Sequence, residues 1–406
     1  MQTYVLIVTK KFNIMSRFTT KEKTKLVPKL RFPGYINEWE RRPLSTVAKI
    51  QRGRFSPRPR NDPKFYGGTM PFVQTGDVVN SRGSIQKYTQ TLNEEGIKVS
   101  KVFPEGSILI TIAANIGYTG ILSKEMACPD SLIGIITNAD TLNVFLNYYL
   151  STQREHMDRV ASVGAQKNIN IDFLNPYPVS WTSFPEQQKI ADFLESVDAW
   201  LGNLRQQKTA LETYKRGMMQ KLFTQQVRFK DEDGNDFSEW EVHAVGEYAE
   251  IYQPQTISQS AMGSDAPYKV WGANGIVGNY HEYNHEQPQV IVTCRGSTCG
   301  KVNLTGPNVW ITGNAMVFNV DESTNIIKQF LYYSLTGDNL DYLISGSGQP
   351  QITGSIKSHK MNFPSVKEQQ KIADFLTAID QTITAKAEEI TQVEQWKKGL
   401  MQKMFV

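Results

Sequence analysis

Nine residues beginning at Arg52, Arg-Gly-Arg-Phe-Ser-Pro-Arg-Pro-Arg, place Arg52, Arg54, Arg58 and Arg60 in one proline-stiffened loop, with Lys64 beyond. Guanidinium groups bind phosphate, or a guanine edge, through paired hydrogen bonds, so the chemistry offered is recognition of a polyanion. The plainer reading is a solvated basic loop. Two further loops are rich in amides: Gln166, Lys167 and Asn168 follow Gly164, and Gln349 and Gln351 follow Gly346. Amides suit adenine edges and phosphates, although ordinary polar surface loops have the same composition. Where the first half of the chain has its arginines, the second has Gln253 and Gln255, so the two halves offer different readout groups.

Residue sets for bond-making chemistry are weak by comparison. Cys294 and Cys299 lie near His281 and His285, the residue types of a zinc site. The matching positions in the first half are Ile112 and Gly117, so the fold needs no metal there, and core or strand-end cysteines are the plainer reading. Gly296 to Lys301 resembles a phosphate-binding loop but is one residue short and continues into Val302 where Ser or Thr would hold magnesium. Asn175-Pro-Tyr-Pro178 lacks the adjacent prolines of a methyltransferase element, and no glycine-rich cofactor loop precedes it. No nuclease carboxylate set or nucleophile elbow stands out.

What must position the recognition loops is a duplicated framework. Glu186 to Phe223 and Glu368 to Phe405 align without a gap at an offset of 182 (368 − 186), open on nine identical residues and close on Gly-x-Met-Gln-Lys-x-Phe. The chain is a tandem duplication. Ser183-x-x-Glu186 and Ser365-x-x-Glu368 read as capping boxes that start a helix at the same point of each copy. In the first copy Ile190, Val197, Leu204, Leu211 and Met218 recur every seventh residue, with Phe193, Trp200 and Tyr214 three further on. This predicts a coiled-coil seam. The second copy keeps Ile372, Phe375, Ile379, Val393, Trp396 and Leu400, while Lys386 interrupts its middle, so it is expected to pair with the first helix. A helix of this length spans roughly 55 Å and could serve as a spacer. Gly217 and Gly399, near the two helix ends, suggest close helix approach.

The globular parts repeat in outline. Leu30-Arg-Phe32 and Glu38-Trp-Glu40 are answered by Val227-Arg-Phe229 and Glu239-Trp-Glu241. Gly106 to Ala113 answers Gln289 to Gly296, and Ser131 to Asn138 answers Ala315 to Val320, all strand-like by β-branched content. Phe145 to Leu150 and Phe330 to Leu335 sit in helical patterns running to about residues 160 and 344. The expected fold class is α+β, two tandem mixed α/β domains whose long helices pair as an antiparallel coiled coil. The expected layout is a tail 1–29, a first domain 30–182, a helix 183–226, a second domain 227–364 and a helix 365–406.

Length also requires two cores, since 406 residues exceed what one usually serves. A net charge of +4 permits a polyanionic partner without demanding one. Three cysteines fit a reducing cytoplasm, and no apolar run approaches a membrane span. Met15 is an alternative start.

The repeated Glu-Gln-Gln-Lys-Ile-Ala-Asp-Phe-Leu element with its Gly-x-Met-Gln-Lys ending, the segment Pro71 to Val78 and the two-domain layout resemble the specificity subunit of type I restriction-modification systems. The second-half counterpart of Pro71 to Val78, Pro267 to Asn274, keeps only the Pro and the Gly. The resemblance implies a non-catalytic subunit in which each domain reads half of a bipartite double-stranded DNA target. It further implies two modification subunits that supply S-adenosylmethionine and methylate adenine N6. Two restriction subunits using ATP and Mg would complete the complex, and this chain itself would bind no cofactor. Candidate DNA contacts are the basic and amide residues above together with Gln74, Lys269 and Arg295. The alternatives are a stand-alone methyltransferase or nuclease with fused recognition domains, and a coiled-coil scaffold with no DNA role.

Overall fold

The computed structural model describes residues 25–161, 168–346 and 348–406. The candidate contacts Gln166 and Lys167 therefore lie outside the described residues. The chain forms two compact units, one running to Gly202 and including Thr391–Val406, the other Asn203–Ile390. Each unit holds the start of one long helix and the end of the other.

The first unit contains strands β1 (Glu40–Pro43), β2 (Ala48–Arg52), β3 (Tyr66–Phe72), β4 (Ser84–Ile85), β5 (Gln90–Leu92), β6 (Lys101–Phe103), β7 (Ile108–Thr111), β8 (Thr119–Leu122), β9 (Met126–Cys128), β10 (Leu132–Thr137) and β11 (Pro178–Trp181). They form a five-stranded sheet in the order β2-β10-β7-β8-β4, a four-stranded sheet β5-β3-β9-β6 and a ribbon β1-β11. Strand β7 is buried at all four positions, because its alternating side chains serve two cores. Ile108 and Ile110 pack with Phe145, Leu146 and Leu150 of helix α1 (Asn143–Thr152), whereas Leu109 packs with Phe103, Met126 and Leu132. Gly134 stands in central strand β10 because a Cβ there would lie 2.1 Å from the Phe103 ring. The helical pattern expected to run to about residue 160 is broken at Gln153 and resumes as Arg154–Ala161. Helix α2 (Phe184–Phe223) follows.

The second unit contains β12 (Glu241–Ala244), β13 (Glu250–Tyr252), β14 (Tyr268–Trp271), β15 (Ile276–Tyr280), β16 (Val290–Thr293), β17 (Val302–Leu304), β18 (Val309–Ile311), β19 (Ala315–Asn319), helix α3 (Lys328–Gly337), β20 (Lys360–Phe363) and helix α4 (Val366–Met404). Its sheets, β13-β19-β16-β17, β15-β14-β18 and β12-β20, follow the plan of the first unit. The same alternation recurs: Val290 and Val292 share a core with Phe330 and Leu331, and Ile291 packs with Ile311 and Val317. In both units the smaller sheet mixes parallel and antiparallel pairing, β3 with β9 and β14 with β18 being parallel.

Within each unit the long helices run antiparallel. In the first, Ile190 and Leu194 share a core with Leu400, Met404 and Phe405, while Asp198, further along α2, meets Lys397. In the second, Met219 and Leu222 share a core with Ile372 and Leu376, and Lys215, one turn back, meets Asp380. The seam differs from the expected phase. Ile190, Val197 and Leu204 are buried, but their companions are Leu194 and Leu201, one residue beyond Phe193 and Trp200. Trp200 and Tyr214 are 46% and 51% exposed, and Leu211 is only partly buried. In α4 Ile372, Ile379 and Val393 are buried, Leu376 displaces Phe375 from the centre, Leu400 is partly buried and Trp396 is half exposed. Lys386 turns to Glu389 at 2.9 Å instead of entering the seam. Outside the helix's own backbone, no described atom lies within 4 Å of where a Cβ would stand at Gly217 or Gly399, so among the described residues the two long helices do not approach closely there.

Candidate nucleic-acid interface and the repeated clasps

The nearly invariant start of each long helix is explained by two polar clasps. Glu186 is buried and takes a two-pronged bond from Arg31, Nε to Oε1 at 2.7 Å and Nη2 to Oε2 at 2.9 Å; Thr182 also donates to it. Glu368 is equally buried and receives Arg228 Nη2 at 2.9 Å and Trp240 Nε1 at 3.1 Å. These carboxylates therefore do not close the expected capping boxes: they are spent on arginines from the segment that opens each globular part. The bond to Glu186 raises the already high Arg31 pKa and keeps the guanidinium charged. The next residue is an amide that organises α1 or α3. Gln187 accepts from the Leu142 N–H at 2.8 Å and donates to Thr182 O at 2.7 Å. Gln369 accepts from the Ile327 N–H at 2.9 Å and donates to Asn325 O and Pro364 O, both at 3.0 Å. Both thus satisfy an orphan N–H at a helix start whose N-cap residue, Leu142 or Ile327, has no polar side chain.

A second clasp joins the helix pair to each globular part. Tyr148 donates to Asp198 at 2.6 Å, and Lys397 bonds the same carboxylate at 2.5 Å while lying 5.0 Å from the Tyr148 ring centroid. Tyr333, Asp380 and Lys215 repeat this at 2.8 Å, 2.6 Å and 5.0 Å. Burial first, then the carboxylate bond, pushes the Tyr148 hydroxyl pKa far up; burial is also the main cause of the rise at Tyr333. Both hydroxyls therefore remain donors. The signal was present in sequence as the identities Asp198/Asp380 and Lys215/Lys397, which helix periodicity alone did not single out.

The recognition loops occupy matched places. In the first unit Ala113, just past β7, bridges to Asn168, and the Ile169 N–H donates to Ile112 O at 3.0 Å. In the second, Arg295, just past β16, bridges to Gln351, and the Ile352 N–H donates to Cys294 O at 3.0 Å. Gln253 joins this second cluster, with Nε2 3.0 Å from Cys294 Sγ. Its amide is thus engaged within the fold, which the sequence did not reveal. Gln255 is exposed and its carbonyl accepts from Trp310 at 3.1 Å. Gln349 is exposed on the neighbouring loop, whereas Lys269 lies in the other sheet, 2.9 Å from Asn279 Oδ1.

The arginine loop is exposed but more restrained than a free basic loop. Arg52 Nε donates to Asp130 O at 2.8 Å, and Arg60 pairs with the Asp130 carboxylate at 2.8 Å, so these two are drawn together. Arg54 donates to Ser100 O at 3.1 Å, Arg58 folds back on Pro57 O at 2.8 Å, and Lys64 pairs with Asp62 at 3.3 Å. Buried Phe55 anchors the loop among Phe65, Tyr66 and Phe72. Gly53 is required because a Cβ would lie 2.1 Å from Pro129 O. Gln74 opens the helix Thr75–Asn80, and its side chain donates to Gln90 at 3.1 Å. Among the zinc-like residues, Cys294 is buried beside Gln253, His285 is bonded to Tyr252 at 2.9 Å and Asn284 at 2.6 Å, and His281 lies beside Glu282.

Two like α/β units, each fastened to paired helices by the same clasps and each presenting a different loop set, define a tandem-domain recognition scaffold. The chain belongs to the family described as type I restriction modification DNA specificity domain, whose profile matches residues 36–213 and 237–395. It is a type I restriction-modification specificity subunit with two tandem recognition domains. It is 25% identical over 377 residues to the Escherichia coli type I restriction enzyme EcoprrI specificity subunit, covering 89% of this chain and 92% of that one. With the MjaVIII specificity subunit of Methanocaldococcus jannaschii the identity is 24%, covering 96% of each. The crystal structure of the type I S subunit from M. genitalium shares the fold at TM-score 0.58 and 17% identity, covering 94% of this chain and 99% of that one. A chain from a structural study of complex assembly in the type I system matches at TM-score 0.56 and 16% identity, over 93% and 98%.

Proposed function

We propose that each unit reads one half of a bipartite double-stranded DNA target, and that the paired helices carry two modification and two restriction subunits. The supporting observation is the contrast between the repeats. The loops around the ends of β7 and β16 dock alike yet carry Ala113 and Asn168 in one unit and Arg295 and Gln351 in the other, while the clasps are the same. One framework with two loop sets suits two different base sequences. S-adenosylmethionine is then held by the modification subunits, and ATP and Mg by the restriction subunits. The assembly works in the cytoplasm, where DNA is its substrate; no helix among the described residues is long and apolar enough to cross a membrane.

Affinity comes from phosphate contacts by Arg52, Arg54, Arg60 and their neighbours, and sequence choice from base-edge contacts by Arg295, Gln351 and Asn168. Arg295→Ala in the assembled methyltransferase is expected to weaken binding to the cognate target by about 1–3 kcal/mol and to relax choice at one half-site only. Arg54→Ala is expected to weaken all sequences alike and to lower the slope of log K against log salt by about 0.9. Binding titrations across salt, on targets with either half-site scrambled, measure both. Equal loss at both half-sites for Arg295→Ala would contradict the assignment.

A further inference from the structure

The segment Pro71–Val78 and its second-half counterpart Pro267–Asn274 lead into different structures. In the first unit the chain leaves β3 at Phe72 and enters the helix Thr75–Asn80. In the second it leaves β14 at Trp271, turns back through Gly272 to Gly275 and continues as β15, its antiparallel partner. The turn is closed by the Gly272 N–H, which donates to Gly275 O at 2.8 Å, and Gly275 has a φ of +145°, a conformation that favours glycine. Directly after the turn stand Ile276 and Val277, 56% and 57% exposed. The hairpin tip is tied to the recognition cluster. Thr293 Oγ1 donates to Ala273 O, and Asn303 Nδ2 donates to Asn274 Oδ1 at 3.2 Å. Thr293 ends β16 and Asn303 lies in β17, the strands that enter and leave the loop carrying Arg295. Lys269 is exposed on the same hairpin.

A single exposed apolar side chain is ordinary. Two neighbours on a restrained tip, beside a polar and basic cluster, call for a partner of mixed character. Around them stand Asn274, Gly275, Gly278 and Asn279, so the apolar area is far smaller than a stable protein interface of roughly 800 Å² per partner needs. It is the size of a wedge between two base pairs. Apolar side chains inserted at a base step unstack it and kink the duplex, while nearby Lys and Arg hold the phosphates. Ile and Val suit that task because their branched side chains are stiff at χ1 and lose little freedom on insertion.

We infer that the Ile276–Val277 tip is an apolar wedge that enters the DNA duplex at the half-site read by the second unit and unstacks one base step there. Arg295 and Gln351 hold base edges beside it, and Lys269 meets the backbone. The inference rests on the reading that the second unit binds a half-site, and adds that this unit distorts its DNA whereas the first, which has a helix in place of the hairpin, does not do so by this device. Base steps that unstack easily, pyrimidine followed by purine, are then favoured under the tip without any hydrogen bond to them.

The test uses the full chain assembled with the modification subunit of the same system, on duplexes carrying a fluorescent adenine analogue that brightens when unstacked. The analogue is placed at successive positions of the second half-site, away from the adenine that is methylated. The unsubstituted assembly is expected to brighten one such position. Ile276→Ala combined with Val277→Ala is expected to lose that signal and to bind the target about tenfold more weakly, with signals in the first half-site unchanged. A mismatch at the same step removes stacking that the wedge must otherwise break, so the double variant should recover its affinity on mismatched DNA. A chain that had only lost its fold would not recover. Tight binding by the unsubstituted assembly with no brightened position overturns the inference, as does a loss of affinity that the mismatch fails to rescue. Loss of modification subunits from the variant in the absence of DNA also overturns it, by assigning the tip to a protein partner. An unsubstituted assembly that protects no second half-site overturns the underlying reading instead.

Discussion

Replacing Glu186 with alanine is expected to cost the first unit about 3–5 kcal/mol. The Arg31 side chain, only 11% exposed, would be left without its partner, and the Thr182 hydroxyl would lose its acceptor. Glu368→Ala is expected to cost the second unit less, because the Trp240 indole N–H loses its acceptor while Arg228 keeps Ser238 O at 2.6 Å and Phe237 O at 3.2 Å. Hydrogen exchange resolved by segment distinguishes the two: protection should fall among residues 40–181 for the first variant and among 241–363 for the second. Removing both partners of a clasp, as in Arg31→Met with Glu186→Leu, should recover much of the loss, because the penalty lies in the unpaired buried charge. A single variant costing under about 1 kcal/mol would show the pair to be solvent-screened like a surface bridge.

Phe405→Ala is expected to lower the stability of the first unit by a further about 3–5 kcal/mol-scale step of its own. Its ring fills a slot between Trp39, Phe145 and Tyr149, with centroids 6.3, 5.5 and 5.9 Å away. The chain there is also held by the Leu30 N–H, which donates to Lys403 O at 2.9 Å. The equivalent Phe223 is only partly buried against Phe330, so Phe223→Ala should cost the second unit less. Denaturant unfolding followed by exchange protection in each unit measures the difference. Equal destabilisation of both units by Phe405→Ala would contradict the assignment of this ring to the first core.

Much of the framework was legible in the sequence because duplication supplies an internal comparison. The long helices, the strand-like stretches 106–113, 131–138, 289–296 and 315–320, and the helical patterns around Phe145–Leu150 and Phe330–Leu335 announce themselves by position and period. What escaped depends on long-range partners. Ser-x-x-Glu looks the same whether the carboxylate turns back to its own helix or out to an arginine 155 residues away, as Glu186 does. Neighbouring apolar residues such as Phe193 and Leu194 leave the seam phase undecided until packing buries one of them. At the interface, the run of arginines was plain, but the role of Asp130 in gathering Arg52 and Arg60 depends on how β10 pairs with β2. The engagement of Gln253 with Cys294 likewise depends on β13 and β16 flanking β19 from its two sides, which sequence does not show.

The central claim is that this chain chooses the DNA sequence, half by half. The most direct measurement is a genome-wide map of methylated adenines in cells with and without the chain, the modification subunit being present in both. The account expects a bipartite motif with a fixed gap that vanishes when the chain is removed, and whose one half alone degenerates with Arg295→Ala. An unchanged map without the chain, or a single uninterrupted motif with it, would contradict the account.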